Sequence, residues 1–261
     1  MAVIHVSTID DFISAVETTS ADVIVDSNID AQGWAAREIV VLCASISGNG
    51  YNISNLQYSA NINLFSFSSV CSINSLNFIN CLCYNRADYA FFHARNNTVT
   101  FNDCQFQGLF YNFAYRRIQF NRCTMAFEPG LNYAHWTDTP QGQWNVCYVD
   151  FKNQLQNNNF VFAGVQDAQL INCYFQGRLQ VGSSSGVISF TPVNCVFNVE
   201  FSAVSAINPP LCYFAVSYVS LYNVDKLQNV TFAERANVTG LSDAALKTPA
   251  AVIATGFPLI Q

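Results

Sequence analysis

The chain has 261 residues, 51% of them apolar and only 11% charged, with a formal net charge of −6. That length can bury a large core as one elongated domain or two compact ones, and the apolar share excludes disorder, which needs low hydrophobicity and high net charge. With three lysines and Arg116-Arg117 as the sole adjacent basic pair, the composition argues against a nucleic-acid partner, which would attract a Lys/Arg-rich face.

The N-terminal "MAVIHVSTIDDF" lacks a basic region followed by an apolar run, so no secretory signal is expected. No segment approaches about 18 uninterrupted apolar residues, so no membrane span or membrane partner is expected either. "STIDDFISAVE" predicts a short amphipathic helix. Ser7 or Thr8 serves as N-cap, Asp11 lies in the first turn, and Ile9, Phe12, Ile13 and Val16 share one face. Asp10-Asp11 is read as a helix-terminal pair. "DVIVDSNID" then reads as an opening strand, and "IVVLCASISGNGYNISNL" as the first complete repeat with its glycine turn.

From there a pattern recurs. Taking each cysteine of "FINCLC", "FNDCQFQG", "FNRCTM", "LINCYFQG" and "PVNCVF" as position zero aligns Cys81, Cys104, Cys123, Cys173 and Cys195. Position −1 then holds Asn80, Asp103, Arg122, Asn172 and Asn194, and apolar residues fall mostly at −5, −3 and +2. Cys147 fits midway through the long gap, with Trp144 at −3. Upstream, Leu56 fits position zero with Asn55 at −1; downstream, Val230 does so with Asn229. Period-two alternation broken by a polar residue is strand, turn, strand. A spacing of about 20–25 residues matches one coil of a parallel β-solenoid, whose coils stack about 4.8 Å apart. The expected architecture is all-β: a single-stranded parallel β-helix of about eight or nine coils. Residues 1–20 form the N-terminal cap, 21–232 the coils, and 233–261 a closing cap in which Ala and Leu replace Asn and Phe.

At this point the order "HVSTIDDFISAV…VIVDSNID…ISGNGYNISNL", the N-C-x-F repeats and "LSDAALKTPAAVIATGFPLI" resemble the pectate-lyase-type right-handed β-helix proteins of tailed phages. The closing phrase is also similar to a segment that ends β-helix repeat proteins on some bacterial surfaces. The resemblance covers nearly the whole chain and specifies a scaffold. It implies a right-handed helix, a virion-surface location and a non-enzymatic structural role as a capsid decoration, head fibre, tail fibre or spike. The implied partners are a homotrimer of the chain itself, other capsid or tail proteins and a host-surface glycan. A polysaccharide lyase or hydrolase on the same scaffold, and a bacterial surface adhesin, remain open.

The residues themselves predict inert chemistry. In a regular stack, cysteine side chains run parallel at strand spacing, which disfavours disulfides; buried free Cys behaves as a small hydrophobe. "CLC" at 81–83 lacks zinc-ligand spacing, His5, His93 and His135 share no motif, and no cofactor is expected. Arg86 with Asp88, and Asp150 with Lys152, are i, i+2 charge pairs of a kind common on exposed strands. The asparagines before the cysteines predict left-handed turns and an amide ladder. Two segments read as candidate interface or glycan contacts. One runs from Glu128 to Trp144, expected to interrupt the repeat, with Tyr133, His135, Trp136, Asp138 and Trp144. The other runs from Tyr84 to Asn97, with Tyr89, Phe91 and Phe92 as a surface aromatic patch.

Overall fold

The computed structural model describes residues 2–58, 62–83, 89–110, 112–115 and 117–127; from 128 onward it describes the strands named below, with positions 147 and 173. The described chain is mostly β-strand in parallel sheets, with one helix.

That helix, Ile9–Val16, forms where the sequence predicts it. The Thr8 hydroxyl accepts from the Asp11 N–H at 3.2 Å and donates to the Asp11 carboxylate at 2.7 Å, so the first turn is capped from both directions. Phe12, Ile13, Ala15 and Val16 are buried. Enclosing a side chain such as Phe12 contributes roughly 1.5–3 kcal/mol. The Val16 carbonyl, left over at the helix end, accepts from Leu42 N–H at 2.8 Å and Cys43 N–H at 3.1 Å. The helix is thereby pinned across the end of the apolar core. Glu17, just beyond it, holds Arg37 through two contacts of 2.6 and 2.8 Å.

Among the described residues, one sheet has eleven strands. Its order is Val3–Val6, Asp22–Val25, Ser45–Ser47, Cys71–Asn74, Val99–Asn102, Ile118–Asn121, Gly142–Asn145, Asp167–Ile171, Ser189–Val193, Leu211–Phe214 and Val230–Phe232. Order in space follows order in the chain, so each strand meets its counterpart from the next repeat. The second sheet contains two further rows built the same way. Ile29–Asp30, Asn52–Ser54, Asn77–Cys83, Gln105–Phe110, Thr124–Phe127, Tyr148–Asp150, Tyr174–Val181, Val196–Phe201, Tyr218–Val219 and Asn237–Val238 pair in succession. So do Ile39–Val41, Phe65–Phe67, Phe92–His93, Asn112–Tyr115, Tyr133–Thr137 and Asn159–Ala163. Parallel strands cannot be joined by tight hairpins; here the remainder of each repeat makes the connection.

Register corrects the sequence alignment at both ends. The residues following Cys104, Cys123, Cys147 and Cys173 (Gln105, Thr124, Tyr148 and Tyr174) are partners in series. The partner before them is Asn77, which puts Leu76 rather than Cys81 into the cysteine column. Cys81 belongs five residues further on, at a second corner that it shares with Leu56, because Gln57 pairs with Leu82. Val230 likewise pairs with Cys212, and Cys212 with Phe190, so it lies in the −5 column. The physical reason is that these repeats turn more than once. Ser75 and Asn80 both have left-handed backbones, with φ of 52°, and each precedes a buried residue. One pattern therefore has two places to fit.

The second corner disappears in the next repeat, which runs straight through Gln105–Phe110. The register shifts between Phe78 and Cys81, and Gly108 faces Cys81 with φ of +145°. A Cβ at Gly108 would lie 2.2 Å from the Cys81 carbonyl oxygen. Only glycine lets the two backbones pass.

Phenylalanines fill the interior. In-register rings stack nearly parallel: Phe78 on Phe106 at 5.7 Å and 3°, and Phe101 on Phe120 at 5.4 Å and 13°. Phe92 sits among them, with Phe91 and Phe101 centroids at 4.6 and 4.7 Å. Such pairs add about 0.5–1.5 kcal/mol each beyond the area they bury.

Candidate functional site

The polar side chains of the repeats form columns. At the second corner the Asp30 carboxylate accepts from Asn55 Nδ2 at 2.8 Å, and Asn55 Oδ1 accepts from Asn80 Nδ2 at 2.5 Å. Asn55 and Asn80 have φ of 60° and 52°, a backbone that asparagine tolerates better than most residues. On the eleven-stranded sheet a parallel column runs through the −2 position. Asn121 Nδ2 donates to Asn102 Oδ1, and Asn102 Nδ2 to Asn74 Oδ1, both at 2.9 Å. A third joins Asn77 Nδ2 to Asn52 Oδ1 at 3.0 Å. In all three the amide donates toward the N-terminal end, so their dipoles align.

The −2 column is not among the sequence expectations, which place the amide ladder at the residue directly before each cysteine. Its signal is present in Asn74, Asn102, Asn121 and Asn145, and register makes it visible. The repeats it links differ in length, 28 residues from Asn74 to Asn102 and 19 from Asn102 to Asn121. Insertions are accommodated away from the column.

At the first corner, directly before Cys104 and Cys123, the column is an ion pair instead. Asp103 (φ 55°) and Arg122 (φ 52°) are also left-handed, and the guanidinium grips the carboxylate with two contacts of 2.7 Å. That hydrogen-bonded pairing lowers the Asp103 pKa and raises that of Arg122. Asp30 is lowered by the Asn55 amide and then by the Gln32 N–H, and Glu17 chiefly by Arg37. Asp26 meets His5 at 2.9 Å, Asp22 accepts from the Ser45 hydroxyl at 2.6 Å, and Glu38 holds both Arg95 and the buried Ser66 hydroxyl. These carboxylates tie one segment of the scaffold to another.

Cys43, Cys71, Cys81, Cys104, Cys123, Cys147 and Cys173 are buried free thiols. Cys104, Cys123 and Cys147 donate to carbonyls of the preceding repeat, those of Ile73, Phe101 and Phe120, at 3.7, 3.5 and 3.4 Å. Thiol–thiol contact and burial raise the Cys104 pKa well above the ordinary range, and burial above all raises that of Cys147. A protonated, enclosed thiol is a poor nucleophile and a poor metal ligand. Among the described residues no group of three or more His, Cys, Asp and Glu side chains is placed to hold a metal ion.

The candidate contact segments are placed differently from expectation. Phe91 and Phe92 are 0% and 1% exposed and belong to the core, not to a surface patch. The aromatic run that looked excessive for a surface is interior packing. Tyr89 is half-buried. Within the segment from Glu128 to Trp144, expected to interrupt the repeat, the described residues are paired strand: Tyr133–Thr137 in one sheet and the start of Gly142–Asn145 in the other. Tyr133 pairs with Asn159, His135 with Asn112 and Val161, and Trp136 with Ala114 and Phe162. Trp144 pairs with Phe120 and Leu170, both buried. Asp138, Asn172, Asn194 and Cys195 lie outside the described residues.

No protein-family model, no curated protein and no solved structure matches the chain. Among the described residues, no helix is long and apolar enough to cross a membrane.

Proposed function

We propose that the chain is a single-stranded right-handed parallel β-helix serving as a non-enzymatic structural subunit of a tailed-phage particle, assembled as a homotrimer on the head or tail surface. The observation that carries this reading is how the polar groups are used. Asp30, Asp103, Glu17 and Glu38, the asparagine columns and the buried thiols are consumed by contacts between repeats. A stack held by amide columns and phenylalanine rings is stiff without metal, cofactor or a dense surface charge. Stiffness of that kind suits a fibre or decoration, whereas a depolymerase needs convergent carboxylates free to move protons.

The test is quantitative mass spectrometry of purified particles, paired with incubation of the purified chain with host capsule or lipopolysaccharide. The reading expects the chain in the particle at a copy number that is a multiple of three, with no release of reducing or unsaturated sugar. Absence from the particle, or catalytic sugar release, overturns it.

A further inference from the structure

Cys43 and Cys71 are set apart from the cysteine column. Their sulfurs approach each other directly, Sγ to Sγ, at 3.9 Å. The causes are register and a local bend. Ser45 pairs with Ser72, so Cys71 lies opposite position 44 and one residue out of step with Cys43. Two cysteines at the same register position hold their side chains parallel at about 4.8 Å, a poor start for a disulfide. That offset alone would put the two side chains on opposite faces, but the chain bends at Ala44, just before the strand Ser45–Ser47, so that both thiols turn into the core and meet there. Both are enclosed, at 0% and 1% exposure, and both are thiols here.

Their location gives the contact a consequence. The Cys43 N–H bonds the Val16 carbonyl at the end of the cap helix at 3.1 Å, and the Cys43 carbonyl accepts from the Ser69 hydroxyl at 3.0 Å. Cys71 opens the Cys71–Asn74 strand of the following repeat. A covalent bond here would join the capped end of the core to the repeat that follows, across a separation of 28 residues.

We propose that Cys43 and Cys71 are a disulfide-forming pair, which closes when the chain folds in the presence of a small disulfide oxidant of the glutathione type and staples the N-terminal cap to the stack. The thiolate of one cysteine attacks a sulfur of the small disulfide, breaking its S–S bond and releasing one small thiol. The second cysteine gives its proton to solvent and attacks the mixed disulfide, releasing the second small thiol. Two electrons pass from the cysteine pair to the oxidant, and one S–S bond replaces another. Closure brings the sulfurs from 3.9 Å to about 2.05 Å. In the folded, reduced chain the contact with Cys43 and burial hold the proton on Cys71, so exchange proceeds while the first repeats are open. Cys104, Cys123, Cys147 and Cys173 stay thiols because they stack at one register position with side chains running parallel, and Cys81 lies at a corner whose register neighbours are Leu56 and Gly108.

The test uses the full chain. It is unfolded, refolded in a mixture of reduced and oxidised glutathione, blocked with an alkylating reagent and digested without reduction. The expected result is a single linked peptide pair containing Cys43 and Cys71, with the remaining thiols alkylated once exposed. The oxidised chain should also unfold at a higher urea concentration than the same chain after dithiothreitol. Cys43→Ser and Cys71→Ser should each lose the linkage without gaining another. A fully reduced product, linkages scattered among the other cysteines, or an unchanged unfolding midpoint would overturn the proposal. Mapping in the unsubstituted chain decides it even where a variant folds poorly.

Discussion

Asn80 donates its amide to Asn55 at 2.5 Å while both residues hold left-handed backbones, so one side-chain type meets two demands of the same corner. The demands separate by substitution. Asn55→Gly keeps the backbone accessible and loses only the column bonds, a loss of about 1 kcal/mol. Asn55→Ala loses the bonds and adds the left-handed penalty, for a total of about 2–3 kcal/mol. Urea unfolding of both variants reads the difference. Equal losses would mean that the backbone conformation is not held as described.

Gly108 and Gly33 both have positive φ, of +145° and +77°, yet a Cβ at Gly33 meets nothing within 4 Å. Gly33→Ala should cost about 1–2 kcal/mol from conformation alone. Gly108→Ala adds collision with the Cys81 backbone and should cost about 2–4 kcal/mol. Chemical denaturation distinguishes them.

The buried thiols give a pH dependence with a definite sign. Cys71, Cys104, Cys123 and Cys147 all titrate above the ordinary thiol value when folded. Unfolded, they ionise near pH 8.5, approximately. Their contribution is therefore complete below about pH 8 and lost progressively as pH rises past the unfolded value, because the unfolded chain releases protons that the folded chain keeps. Urea midpoints measured between pH 7 and 10 should fall in the upper half of that range. Cys104→Ala should reduce the slope there.

Phe92 touches the rings of Phe65, Phe78, Phe91, Phe101, Phe106 and Phe113. Phe92→Ala should lose about 3–5 kcal/mol, a cost that a surface contact residue would not carry. Near-native stability of this variant would return Phe92 to the surface.

The sequence reveals the parts of this fold that repeat locally. The Thr8 cap, the helix face of Phe12, Ile13 and Val16, and the period-two strands around Cys104 and Cys123 all depend on neighbours a few residues away. Register depends on residues 19 to 28 positions apart, and Ser75–Leu76 and Asn80–Cys81 offer two equivalent corners to one motif. Choosing between them requires knowing which residue lies opposite Gln105. The aromatic residues at 91 and 92 misled for a related reason. A phenylalanine-rich stretch reads alike whether it faces solvent or a core already lined with phenylalanine. The candidate site was less legible than the fold, since the asparagine columns acquire direction and partners only when repeats are stacked.

If the cysteines mark stacked repeats, sulfur anomalous scattering from crystals locates them as a stack, independently of any chain tracing. Cys104, Cys123, Cys147 and Cys173 should appear as a row of peaks along one axis, each separated from the next by about 4.8 Å. Scattered peaks, or pairs within this set about 2.05 Å apart, would contradict the stack.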